Sequence, residues 1–144
     1  MSTANIAMRL PNGKIASIYV NKNGDPDHLG QILSTYYTSQ ERVNALMQLG
    51  SALIIGKKLE PSTLISLYGI YNPEKHPAFK RLPLIKQKQY LLENNDHSIF
   101  YQRELHELDA TSIIFPNEES WIKSAKQISD YAYLFDFNNR WIQR

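Results

Sequence analysis

The sequence predicts an α+β domain, an antiparallel sheet of about five strands with helices packed on one face. Three observations predict it. Near the C-terminus Tyr131, Tyr133, Phe135 and Phe137 alternate with Ala132 and Leu134, and only Asp136 interrupts the apolar run. A strand that is apolar on both faces belongs inside a sheet. Near the N-terminus Asn12-Gly13 separates two alternating stretches, a hairpin signal. Between these ends, two stretches space their apolar residues by three and four, the period of a helix.

In chain order, Asn5 to Leu10 and Lys14 to Val20 read as strands joined by Pro11-Asn12-Gly13. Asp25 is placed to N-cap a helix beginning at Pro26, where the missing N–H costs nothing. Leu29, Ile32, Leu33, Tyr36 and Tyr37 form its stripe. Thr38-Ser39-Gln40-Glu41 is a capping box for a second helix, with Val43, Leu46 and Met47 as its buried stripe and Gly50 as its stop. Residues 51–95 read as an irregular insertion in a single domain spanning 1–144. Ala52 to Ile55 fits a short strand, Ser62 to Tyr71 and Leu84 to Leu92 fit short helices, and Pro61, Pro73, Pro77 and Pro83 break the chain between them. His97 to Leu105 reads as a strand. Asn117 caps a helix from Glu118 to Ser129 that buries Trp121, Ala125 and Ile128. Asn138-Asn139 then turns the aromatic strand back into Arg140-Trp141-Ile142.

Composition excludes several classes. A formal charge of +2 over 144 residues fits neither a strongly basic nucleic-acid binder nor an acidic DNA mimic. The absence of cysteine rules out disulfides, zinc–thiolate sites and cysteine nucleophiles. No apolar run reaches membrane-spanning length, and Met1-Ser2-Thr3-Ala4-Asn5-Ile6 lacks the pattern of a signal peptide. The expectation is a cytoplasmic protein without a cofactor.

Few groupings carry chemistry. His97, Glu104, His106, Glu107 and Asp109 are the one cluster with metal-ligand character, and His97, Glu104 and His106 would support a small metal-dependent enzyme. Asp25, Asp27 and His28 form an acid/base group that capping and dipole effects also explain. Asn23-Gly24-Asp25 offers backbone N–H groups to an anion but lacks a phosphate loop's lysine. The aromatic stripe of the final strand could stack on bases, and tyrosines beside lysines suit a protein that sequesters a nucleotide signal. No set completes a catalytic constellation, so the chain reads as a binding protein rather than an enzyme. The segment that folding explains least is basic: Lys57, Lys58, Lys75, Phe79, Lys80, Arg81, Lys86 and Lys88 are the expected partner-binding residues, with Tyr68 and Tyr71 as further aromatic anchors.

The order of signals resembles a family of small phage- and prophage-encoded proteins. The likeness rests on Ile18-Tyr19-Val20, Asn23-Gly24-Asp25-Pro26, Gly30, the run from Tyr37-Thr38 through Glu41-Arg42-Val43, Leu49-Gly50, and Tyr131-Ala132-Tyr133-Leu134-Phe135 with Arg140-Trp141. It covers about half the chain and is strongest at the two ends, on structural motifs. Where members carry Cys-His-Trp, this chain has Val20-Asn21-Lys22, so an activity of that trio is not implied. The resemblance implies an anti-defence inhibitor, in the manner of anti-CRISPR proteins. The implied partner is a host defence protein or ribonucleoprotein complex, with nucleic acid close by. The tyrosine count also suits a homodimer interface.

Overall fold

The computed structural model describes residues 2–61 and 77–144. The helix expected over 62–71, together with Tyr68, Tyr71 and Lys75, lies outside the described residues. The class is α+β, and the described residues form one mixed sheet of seven strands, in which Ile99–Phe100, Ala52–Ile54, Ile15–Val20, Ala4–Arg9, Tyr131–Phe135 and Trp141–Gln143 follow one another across the sheet and Ile113–Phe115 pairs beside Ile15–Val20. No helix among the described residues is long and apolar enough to cross a membrane.

Strands β1 (Ala4–Arg9) and β2 (Ile15–Val20) form the expected hairpin, paired from Ala4↔Val20 to Arg9↔Ile15. Its turn closes with the Leu10 N–H donating to the Lys14 carbonyl at 2.8 Å, and Gly13 takes φ +84°, a value open to glycine. Strand β3 (Ala52–Ile54) runs parallel to β2, and β4 (Ile99–Phe100) runs antiparallel to β3. β5 (Ile113–Phe115) pairs antiparallel with the other half of β2. β6 (Tyr131–Phe135) is the organising aromatic strand, and β7 (Trp141–Gln143) returns antiparallel to it. The turn between them is built by Asp136, whose carboxylate accepts the N–H groups of Asn138 and Arg140 at 2.9 and 3.2 Å.

Two architectural expectations are corrected. The sheet is mixed rather than antiparallel, because β6 runs parallel to β1, from Ala4↔Tyr131 to Met8↔Phe135. A tight hairpin imposes antiparallel pairing only on strands it joins, and more than half the chain separates β1 from β6. Their register is set at the N-terminal end, where the Tyr131 N–H donates to the Thr3 carbonyl and the Asp130 carboxylate accepts the Thr3 N–H. The helices also cover both faces rather than one. Helix α1 (Gln31–Tyr36), entered through a π turn at Pro26–Gly30, and helix α2 (Gln40–Leu49) cover the face of Ala4, Ile6, Met8, Ile18, Tyr133 and Phe135. Helix α5 (Glu118–Ile128) covers the opposite face of Ala7, Ile15, Ala132 and Leu134 with Trp121 and Ala125. Strands apolar on both faces need two covers.

Smaller departures follow local chemistry. Residues 101–105 form turns rather than continuing the strand begun at Ile99. There the Glu104 side chain folds back to accept the Phe100 N–H and the Arg103 guanidinium, competing with strand pairing. Ser39, not Thr38, caps α2 by accepting the Arg42 N–H at 3.1 Å. Asn117 caps α5 as expected, accepting the Ser120 N–H at 2.8 Å. Ile128 is 57% exposed, so the buried stripe of α5 ends at Ala125.

Candidate partner-binding surface

The basic segment begins at Lys57 and Lys58, which follow β3 and are exposed. The Lys58 N–H donates to the Asp96 carbonyl at 2.8 Å, and the Lys57 ammonium stands 3.9 Å from the Asp96 carboxylate. Gly56 allows this approach, since a Cβ there would lie 2.5 Å from the Asp96 oxygen. The residues Lys80 and Arg81 lie at the end of the short helix α3 (Pro77–Lys80) and just after it, while Lys86 and Lys88 lie on α4 (Leu84–Asp96). The Gln87 side-chain amide clamps the turn between the two helices, donating to the Leu82 carbonyl at 2.8 Å. Helix α4 has 13 residues and is about 20 Å long, so the structure sets Lys57 and Lys58 at one end of it and Lys80 and Arg81 at the other.

All four cations of this α3–α4 segment are exposed, and among the described residues none makes an ion pair. The first turn of α4 holds no acidic residue. Lys86 there opposes the helix dipole, so helix stability does not account for it. The apolar stripe of α4 faces outward: Leu84, Ile85 and Leu92 are 74%, 68% and 70% exposed, with Lys88 between them on the helix surface. Phe79 departs from the expectation of an exposed aromatic anchor, because its side chain is buried at 2% exposure.

The other groupings are absorbed by folding. His97, Glu104 and His106 are not gathered: among the described residues no three His, Asp or Glu side chains are arranged to hold a metal. His97 Nδ1 contacts the Glu60 carbonyl at 2.6 Å, and the buried Glu104 carboxylate pairs with Arg103 at 2.7 Å. His106 is exposed at φ +58°. The Asp25 carboxylate makes no side-chain cap. It accepts from Ser2 Oγ at 3.0 Å and lies 2.8 Å from His28 Nδ1, and the His28 bond, foremost, holds its carboxyl below the ordinary 3.8. The Gly24 N–H donates to the Ser2 carbonyl, so it is not presented to an anion.

The stacking stripe is not presented as one surface, since Tyr133 and Phe135 are core residues and Phe137, 61% exposed, lies in the turn beyond β6. The Tyr133 hydroxyl donates to the Gly24 carbonyl at 2.8 Å, and burial, with the Asp25 charge behind it, pushes its pKa well above 10.0. Burial likewise raises Tyr37, whose hydroxyl donates to the Gly56 carbonyl at 2.8 Å. A raised pKa in the fold means that these phenols support stability in full below the unfolded value near 10. That support is lost as pH rises through the folded values. Urea midpoints should therefore fall on raising pH from about 9 to about 11, and Tyr133→Phe should make that fall shallower. An identical slope in the variant would contradict the assignment.

One signal was missed in the sequence. Leu84, Ile85, Leu91 and Leu92 have the spacing of a buried stripe, and only their exposure separates a docking face from a core face. In comparisons with known proteins, no family model, curated protein or solved structure matches this chain.

Proposed function

We propose that the protein is a binding inhibitor that occupies a macromolecular partner through the α3–α4 surface. One observation carries this reading: the apolar stripe of α4 is exposed and is flanked by cations that make no ion pair among the described residues. Burying Leu84, Ile85 and Leu92 in a partner would stabilise the complex by about 1.5–3 kcal/mol for each side chain fully buried. Lys80, Arg81, Lys86 and Lys88 would steer that partner, which must present negative charge around an apolar recess. The resemblance to phage-encoded proteins supports a bacterial immune complex as the partner, among them CRISPR–Cas effectors, whose bound nucleic acid supplies such charge.

Phage plating on cells that carry individual defence systems and co-express this chain is the direct test. Restored plating is expected with at least one system, and plating restored in none would remove the anti-defence reading. The double variant Lys80→Glu/Arg81→Glu is expected to melt as the parent does, because exposed unpaired charges contribute little to stability. Its association with the partner should slow by about tenfold or more and lose salt sensitivity. Full-strength inhibition by the folded double variant would move the functional surface elsewhere.

A second reading, sequestration of a nucleotide signal, draws on a separate recess of about 300 Å³ where Lys126 and Arg144 lie beside Tyr131 and Ser129. A cyclic-nucleotide panel that leaves the melting temperature unmoved would discard it.

A further inference from the structure

Strand β7 is the outermost strand on its side of the sheet. The Asp136 N–H donates to the Arg140 carbonyl and the Arg144 N–H to the Ala132 carbonyl. In an antiparallel ladder this alternation places Ile142 in the bonded pair with Leu134 and turns the N–H and C=O groups of Trp141 and Gln143 away from β6. Among the described residues none of those four backbone groups has a partner.

The open edge does not face bulk solvent alone. Two recesses of about 230 and 240 Å³ adjoin along it, sharing Ser34 and Trp141. One wall is the π turn and α1, through Pro26, Gly30, Gln31 and Ser34, and the other is β7. Gly30 keeps the wall low over Tyr133, whose ring a Cβ there would meet at 3.6 Å. The Trp141 indole N–H donates to the Tyr37 carbonyl at 2.7 Å, which ties β7 to the end of α1 and holds the groove in shape. Among the described residues the one charged side chain lining either recess is Arg140, 70% exposed and only 3.9 Å-paired with Asp136.

We propose that this groove takes an extended segment of a partner protein, which adds to β7 as a further strand and directs an acidic side chain at Arg140. An added strand satisfies the unpaired backbone groups of Trp141 and Gln143, and its alternate side chains enter the recesses against Ser34 and Tyr133. The complementary charge lies on the incoming segment because the described lining of the groove holds a cation and no acid. This site is separate from the α3–α4 surface, so either can fail without the other.

The probe is a displayed library of short random-sequence peptides, selected on the full chain and then rebound to Gln143→Pro and Ser34→Trp. Proline at Gln143 removes an N–H that points outward and leaves the β6–β7 ladder intact. Tryptophan at the exposed Ser34 fills the recess from the helix side. The expected result is a family of peptides carrying an acidic residue, whose affinity falls about tenfold in each folded variant, through a lost backbone hydrogen bond in Gln143→Pro and through the filled recess in Ser34→Trp. N-methylation of alternate amides in the synthetic peptide should abolish binding, and amide resonances of Trp141 and Gln143 should shift on titration. No selected family, or one that binds both variants as well as the parent, overturns the proposal. Should Gln143→Pro not fold, Ser34→Trp and the N-methylated peptide decide the matter.

Discussion

Replacing Trp121 by alanine is expected to destabilise the protein by about 3–5 kcal/mol. The indole is fully buried on α5 and forms the centre of the smaller core with Ala7, Ile15, Ala125, Ala132 and Leu134. That core seals the sheet face opposite α1 and α2, with Phe115 and Ile122 packed, partly buried, against it. Its polar edge matters as well. Nε1 donates to Asn5 Oδ1 and to Ser17 Oγ, both at 3.0 Å, and the Ser17 hydroxyl donates to Asn5 Oδ1. These bonds join three polar side chains between β1, β2 and α5. Trp121→Phe keeps most of the apolar contact and removes the donor, so it should cost less, about 1–3 kcal/mol. Denaturant unfolding of both variants separates the two contributions. A parent-like midpoint for Trp121→Ala would mean that α5 is dispensable to the core.

Gly50→Ala is expected to be comparably damaging, for a backbone reason. Gly50 ends α2 at φ 82° and ψ −162°, a region essentially closed to residues with a side chain, at a cost of about 1–3 kcal/mol. The site is crowded too. An added methyl would overlap the Ala110 carbonyl oxygen and lie 3.2 Å from its carbon. That carbonyl is held in place by the Ser51 N–H at 2.9 Å, on the segment that leads into β3. Strain and overpacking together predict a loss of about 2–6 kcal/mol. The change should loosen β3 first, because the Ser51 hydroxyl accepts the Tyr19 N–H and β3 pairs with β2 at Val20↔Ala52. Hydrogen exchange at Asn21 and Lys22, which donate to the β3 carbonyls of Ala52 and Leu53, would report it. Unchanged protection at both amides in the variant would contradict this account.

The local elements were legible because their causes are local. Asn12-Gly13 makes a turn, Asn117 caps a helix, Gly50 stops one, and the alternation from Tyr131 to Phe135 makes a strand, each within a few residues of chain. The candidate site was legible only as composition. Unexplained lysines pointed to the stretch from Lys57 to Lys88, but sequence spacing cannot distinguish Phe79, which is buried, from Leu84 and Ile85, which are exposed. An apolar residue on a helix turns inward or outward according to what the rest of the chain places beside it.

By itself, then, the sequence determined the α+β class, the hairpins at both ends, the main helices, and the two-sided apolar character of β1, β2 and β6. Only the tertiary structure decided that β6 joins β1 in parallel, that α5 takes the face opposite α1 and α2, and that three apolar residues before Pro116 pair as β5. The reason is physical. Turn and cap preferences act over a few bonds and leave a mark in the neighbouring residues. Strand direction and helix placement are chosen by burial between segments as distant as Asn5 and Trp121, and no nearby residue records that choice.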